Sequence, residues 1–242
     1  MKKVILFIAL LSFGFAKITV AGASNITYVI GELKNEFTKS HPNSQVVVNI
    51  GRSGKLKAQI EHSAPFDIFL SANVAYAQAL VDKNISKSPA VVYAKGALIL
   101  YTRNKVDLSK GIDAITSKNV SKIAIANPKT APYGSATKEA LINAKLYDKV
   151  KDKLVFAQNI SQTQIYAMRA CDVGFIAKAS LFSKALKGAK EGVDYIDVPS
   201  SLYKPIAQAM VLLSDKKEAV EFFEFLQSKR AKEIFKRYGY IE

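Results

Sequence analysis

Short apolar runs and amphipathic stretches alternate along this chain, in an order that predicts β-strands feeding α-helices. Residues 18–21 form a first β-rich run, after which Ile26, Ile30, Leu33 and Phe37 recur at helical spacing. Pro42 and Asn43 mark a turn before a β-branched run at 45–50. A helix is predicted over 54–62, a strand over 66–70 and a helix over 74–83. This β-α-β-α-β order implies a parallel sheet covered by helices.

The second half repeats the pattern. Strands are predicted at 97–101, 122–126, 154–157 and 173–176, with helices opening near Ser135 and Ser161 and another running to about Leu186. An apolar strand follows at 206–213. Ala219, Phe222, Phe223 and Leu226 form one closing helical stripe, Ile234, Phe235 and Tyr238 the next, and Gly239 a helix stop. Two β-α-β sets predict two α/β lobes, with 97–101 and 206–213 as candidate crossings. The pattern itself leaves open whether the chain returns to its first lobe.

Composition narrows the class. Of 242 residues 49% are hydrophobic, enough to fill the cores of two lobes. Lys2 and Lys3 precede an apolar run at 4–11, continued by Phe13 and Phe15, and Gly14-Phe15-Ala16 places small residues where a signal peptidase cuts. Residues 1–16 are therefore expected to be an export signal rather than an anchor, for which the run is short. No Cys lies near that cut, so no lipid anchor is expected, and no later run is long enough to span a bilayer. Cys171 is the single cysteine, which rules out an internal disulfide. It is expected to be a buried small hydrophobe.

The formal charge is +15, of which Lys2 and Lys3 supply two. The lysines are spread along the chain with no nucleic-acid motif beside them, so the expectation is a solvated basic face that attracts anions, without nucleic acid as partner.

Four places share one arrangement: a strand ends, a short polar or glycine-bearing turn follows, and a helix begins. They are Gly22-Ala23-Ser24-Asn25, Gly51-Arg52-Ser53-Gly54, Ala131-Pro132-Tyr133-Gly134 and Asn159-Ile160-Ser161-Gln162. Helix starts beyond strand ends offer unpaired N–H groups and the positive end of a dipole, which suits an anion. Taken singly, Ser24, Ser53 and Ser161 read more readily as ordinary N-caps than as anion ligands. Two such turns fall in each half, as a cleft between lobes requires. The only histidines, His41 and His62, have no metal-ligand spacing, so direct ligation of a metal is not expected.

These turns also carry a family resemblance. Residues 18–25, Ser53-Gly54 with Gln59-Ile60-Glu61, and Ala64-Pro65-Phe66-Asp67-Ile68-Phe69 with Ser71-Ala72 resemble the opening strand, second loop and third strand of periplasmic molybdate-binding proteins. Asn127-Pro128 with the third turn, the Asn-Ile-Ser-Gln turn, Asp172-Val173-Gly174-Phe175, Tyr203-Lys204-Pro205-Ile206 and residues 231–239 extend the likeness over essentially the whole mature chain. The resemblance implies a type II periplasmic binding protein fold: lobe 1 from 17–96 plus 204–242, lobe 2 from 97–203, joined by two crossover strands.

It further implies that Ser24 and Ser53 give hydroxyl and backbone hydrogen bonds to a molybdate or tungstate ion, and that Asn25, Tyr133 and Ile160 give backbone N–H groups. No cofactor is implied. The partners would be an ABC permease and its ATPase, and the protein a periplasmic monomer. In one branch of the family a tyrosine completes the site at the place held here by Ala177. Arg52 is a candidate counter-charge and Lys55 a weaker one.

A site of donors with no carboxylate suits a dianion that has no proton to give. A sulfate- or phosphate-binding protein is the nearest alternative; phosphate would call for an acceptor, and Asp67 reads instead as a strand-start residue. A secreted hydrolase lacks a Ser-His-Asp set, and a basic surface-binding protein would not need the two serines.

Overall fold

The structure is a computed structural model that describes residues 16–104 and 106–241. The export-signal assignment, Ala16 apart, lies outside the described residues. In chain order the elements are β1 (Ala16–Ala23), α1 (Ile30–Ser40), β2 (Ser44–Gly51), α2 (Ser53–Glu61), β3 (Ile68–Leu70), α3 (Val74–Asp82) and β4 (Val91–Gly96). There follow β5 (Leu98–Thr102), β6 (Ile123–Ala126), α4 (Pro132–Asn143), α5 (Tyr147–Val150), β7 (Leu154–Ala157), α6 (Ile160–Arg169), β8 (Val173–Ala177) and β9 (Tyr195–Asp197). The chain closes with β10 (Ile206–Leu212), α7 (Lys217–Phe225) and α8 (Lys229–Arg237).

The strands form two sheets, β2-β1-β3-β10-β4 and β7-β6-β8-β5-β9. In each, three parallel strands come first and two antiparallel pairings follow. Only Ala97 separates β4 in one sheet from β5 in the other, and the chain returns between β9 and β10. The return left open by the pattern is thus made, and the architecture is two α/β lobes with two crossings.

Side-chain alternation builds the first lobe. Ile18, Val20, Ile68, Leu70, Met210 and Leu212 face one core with Phe37, Phe222 and Phe235, while Ala21, Phe69, Ala209 and Val211 face another with Leu56 and Leu80. Period-2 strands sandwiched between two helical layers require this split. Phe37 packs edge-on to Phe222 with ring centres 4.9 Å apart. The second lobe packs Ile123, Ile125, Val173 and Phe175 on one face and Ala124, Ile176 and Ala167 on the other.

Three expectations are corrected. The strand expected from 66 starts at Ile68, because Asp67 is buried at its foot, where its carboxylate accepts from the Thr19 N–H and the Ser214 hydroxyl, both at 2.8 Å, and pairs with Lys216 at 3.0 Å. Helix α4 opens at Pro132 rather than near Ser135; proline is preorganised for a first helical position, where its missing N–H costs nothing. The segment after β8 is a short 3-10 turn, Lys178–Phe182, not a helix to Leu186. There Ser183 draws the Leu186 N–H onto its own hydroxyl at 3.3 Å, a local bond that competes with helix continuation. Strand β4, over residues to which the sequence pattern assigned no element, and the three-residue β9 are additional.

Candidate functional site

Each of the four turns sits at the C-terminal end of a parallel strand. β1 runs into a 3-10 turn, Ser24–Tyr28; β2 into α2; β6 into α4; β7 into α6. Ser24, Ser53 and Ile160 are the first residues of their helices and Tyr133 the second. The first N–H groups of a helix have no partner within it. Ser24, Ser53, Tyr133 and Ile160 together line one small hollow between the lobes. Ala72 and Arg52 also line it, and among the described residues no Asp, Glu or His does.

The capping alternative does not describe these serines. Ala23 and Arg52 hold the cap positions before Ser24 and Ser53, and neither caps with its side chain. Asn159 caps α6, its side chain accepting from the Gln162 N–H at 2.8 Å, which releases Ser161 from that role. Ser161 instead reaches the other lobe and donates to the Ser24 carbonyl at 3.0 Å.

Ser53 is buried, and its Oγ accepts from the Ala72 N–H at 3.0 Å. That bond uses one acceptor site of the hydroxyl and leaves its proton available for donation. The phenol of Tyr133 is taken by Gln208, whose Nε2 donates to it at 3.0 Å. Burial pushes that phenol far above its ordinary range, so it stays neutral, and the backbone N–H at the head of α4 is what Tyr133 offers the hollow. Ile160 offers the same group at the head of α6, its side chain packing into the second-lobe core.

Asn25 stands apart from the lining. Its side chain turns down into the protein, Nδ2 donating to Gln208 Oε1 at 2.6 Å, and its carbonyl accepts from the Tyr240 hydroxyl at 2.8 Å. Lys55 is exposed and does not line the hollow. Ala177 is buried at the end of β8, also outside the lining. His41 stacks on Phe37, ring centres 4.1 Å apart, and His62 follows the last turn of α2. Cys171 is buried, which raises its thiol pKa. No group of three potential metal-ligating side chains occurs among the described residues.

Two further contacts near the hollow also escaped sequence reasoning. Tyr28 donates to Gln164 Oε1 across the lobes, with no pattern to announce it. Gln208 had a signal, as the one polar residue of the apolar strand β10. A larger groove, about 870 Å³, lies between β4 and α8, but none of the four turns reaches it.

Residues 18–241 match the family model of bacterial extracellular solute-binding proteins. The molybdate-binding protein ModA of Rhodobacter capsulatus is 34% identical over 232 residues, covering 93% of this chain and 88% of that one. ModA of Azotobacter vinelandii is 32% identical over 231 residues, covering 93% and 90%. The solved periplasmic molybdate-binding protein of Azotobacter vinelandii superposes with a TM-score of 0.84 at 28% identity, covering 93% of this chain and 99% of that one.

Proposed function

This chain belongs to the bacterial extracellular solute-binding proteins and, within them, to the ModA molybdate-binding proteins, and from that premise we propose that it captures molybdate, and tungstate with it, between its lobes and delivers the ion to an ABC importer. The observation that carries the reading is the convergence of four helix starts, two from each lobe, on a hollow lined by no carboxylate. Ser24 and Ser53 give hydroxyl and backbone donors from the first lobe, Asn25 its backbone N–H, and Tyr133 and Ile160 theirs from the second. The lobes, 17–96 plus 204–242 and 97–203, close on the ion by bending at the crossings. The protein works outside the cytoplasm as a monomer, with a permease and its ATPase as partners.

Donors alone suffice because the ion accepts at four oxygens. Hydrogen bonds to a charged group contribute roughly 1.5–3 kcal/mol each. Six give about 9–18 kcal/mol against association costs of about 4–15 kcal/mol, so tight binding requires donors already in place within each lobe. Sulfate is smaller, and donors spaced for molybdate stand too far from its oxygens. Molybdate and tungstate differ too little in size to be separated this way.

Titration calorimetry of the purified protein with molybdate, tungstate, sulfate and phosphate tests the reading. Molybdate and tungstate are expected to bind with Kd below about 1 µM, and sulfate and phosphate at least about a hundredfold more weakly, a gap of about 2.7 kcal/mol. Tight sulfate binding with no molybdate heat would overturn it.

A further inference from the structure

We propose that Gln208 is a positioning residue that ties the two anion-binding halves together, so that capture depends on it although it does not touch the anion. The inference rests on the function proposed above.

Gln208 lies on β10, the strand by which the chain returns to the first lobe, where pairing with β4 shifts register between Gln208 and Ala209. Its side chain is wholly buried between apolar neighbours, a costly place for an amide unless both ends are bonded. Both are: Oε1 accepts from Asn25 Nδ2 at 2.6 Å and Nε2 donates to the Tyr133 hydroxyl at 3.0 Å. Asn25 follows Ser24 in the first-lobe turn, and Tyr133 heads α4 in the second lobe. One amide thus fixes the side chains of two residues whose backbones stand at the anion-binding turns.

The surroundings are cut to fit this pair. A Cβ on Gly96, at the end of β4 before the outgoing crossing, would lie 2.1 Å from the Tyr133 oxygen and 2.7 Å from Gln208 Nε2. Only a glycine lets the Tyr133 phenol reach the returning strand there. Tyr133 and Gln208 come from different lobes, so an opening that separates the two breaks their bond. It contributes to the closed form and not to the open one, so it sets how firmly closure holds the ion. A chain Asn25–Gln208–Tyr133 carries that preference to both halves of the hollow.

Calorimetry and stopped-flow release with sodium molybdate test this on the wild type, Gln208→Met, Tyr133→Phe and the double variant. Each single change is expected to weaken molybdate binding roughly tenfold, mostly through faster release, with the double variant no worse than the weaker single one. Thermal midpoints of the anion-free variants serve as the control: a merely structural role would lower them without coupling the two affinities. Wild-type affinity in either variant, or losses that simply multiply, would overturn the inference while leaving the proposed function standing. Tyr133→Phe removes one oxygen and keeps the ring, so it decides the matter should Gln208→Met fail to fold. Failure of the wild type to bind molybdate would instead bring down the functional reading and this inference with it.

Discussion

The hydroxyl of Ser161, on α6 of the second lobe, donates to the carbonyl of Ser24, on the 3-10 turn of the first, at 3.0 Å. The same carbonyl accepts from the Thr27 hydroxyl at 2.7 Å. That carbonyl and the N–H of Asn25 belong to one peptide group. A peptide whose oxygen is bonded is a stronger donor at its nitrogen, so the contact between lobes also primes a candidate anion donor. One helical turn further along α6, Gln164 meets Tyr28 of the same 3-10 turn. These two contacts between the lobes lie beside the hollow, in addition to the Gln208–Tyr133 bond.

Replacing Ser161 by Ala should remove the first of these points without disturbing the helix, because Asn159 remains the cap. The expected result is a three- to tenfold loss of molybdate affinity, about 1 kcal/mol, seen chiefly as faster release in stopped-flow. Unfolding in urea should shift by less than about 0.5 kcal/mol. Unchanged release would show that the Ser161–Ser24 bond plays no part in holding the lobes together.

Ser53→Ala has a different signature. It removes a donor from the hollow and also strands the Ala72 N–H that the hydroxyl now satisfies. Binding is expected to fall by about 2 kcal/mol, roughly thirtyfold, and stability by about 1 kcal/mol. Calorimetry paired with urea unfolding separates the two losses. A variant that lost stability alone would mark Ser53 as a prop for the β3–α3 loop and not a donor.

Much of this was legible in the sequence because it was local. The strand-to-helix turns announce themselves by composition, and the family resemblance singled out Ser24, Ser53, Tyr133 and Ile160 within them. The lobes follow from repeated β-α-β order. What was not legible depends on partners far apart in the chain. Asn159, not Ser161, caps α6, and only the presence of Ser24 across the cleft gives Ser161 its other use. Asp67 is held by Thr19, Ser214 and Lys216, which no spacing rule links to it. Strand β4 was missed because its pairing partners, on β10, lie more than a hundred residues away, although the boundary after Gly96 was read correctly.

Glycines provide a contrast in packing. A Cβ at Gly134 would meet the Ala126 carbonyl oxygen at 2.2 Å, where the head of α4 presses on the end of β6. Backbone cannot yield there, so Gly134→Ala should cost about 2–3 kcal/mol and displace the neighbouring Tyr133 N–H, weakening anion binding as well. At Gly31, exposed in α1, a Cβ meets nothing within 4 Å. Gly31→Ala should raise stability by about 0.5 kcal/mol and leave binding alone. Equal effects of the two substitutions in thermal unfolding would contradict the packing seen here.

The buried phenols fix how the fold responds to alkali. Burial raises the pKa of Tyr93, Tyr133 and Tyr240 well above the ordinary phenol value. An unfolded phenol ionises near pH 10, as a rule. Below that pH both the folded and the unfolded chain keep the proton, and these groups do not alter stability. Above it the unfolded chain releases the protons while the fold retains them, so stability falls as pH rises, until the folded pKa is passed. Each phenol contributes about 1.4 kcal/mol per pH unit, so the three together should remove about 4 kcal/mol by pH 11. Urea unfolding at pH 8 and pH 11, with tyrosinate absorbance followed at 295 nm, checks this. At least three of the eleven tyrosines should ionise only as the protein unfolds. Free titration of all eleven in the folded protein would mean that the Asn25–Gln208–Tyr133 chain, with Tyr240 bonded to Asn25, is open to water.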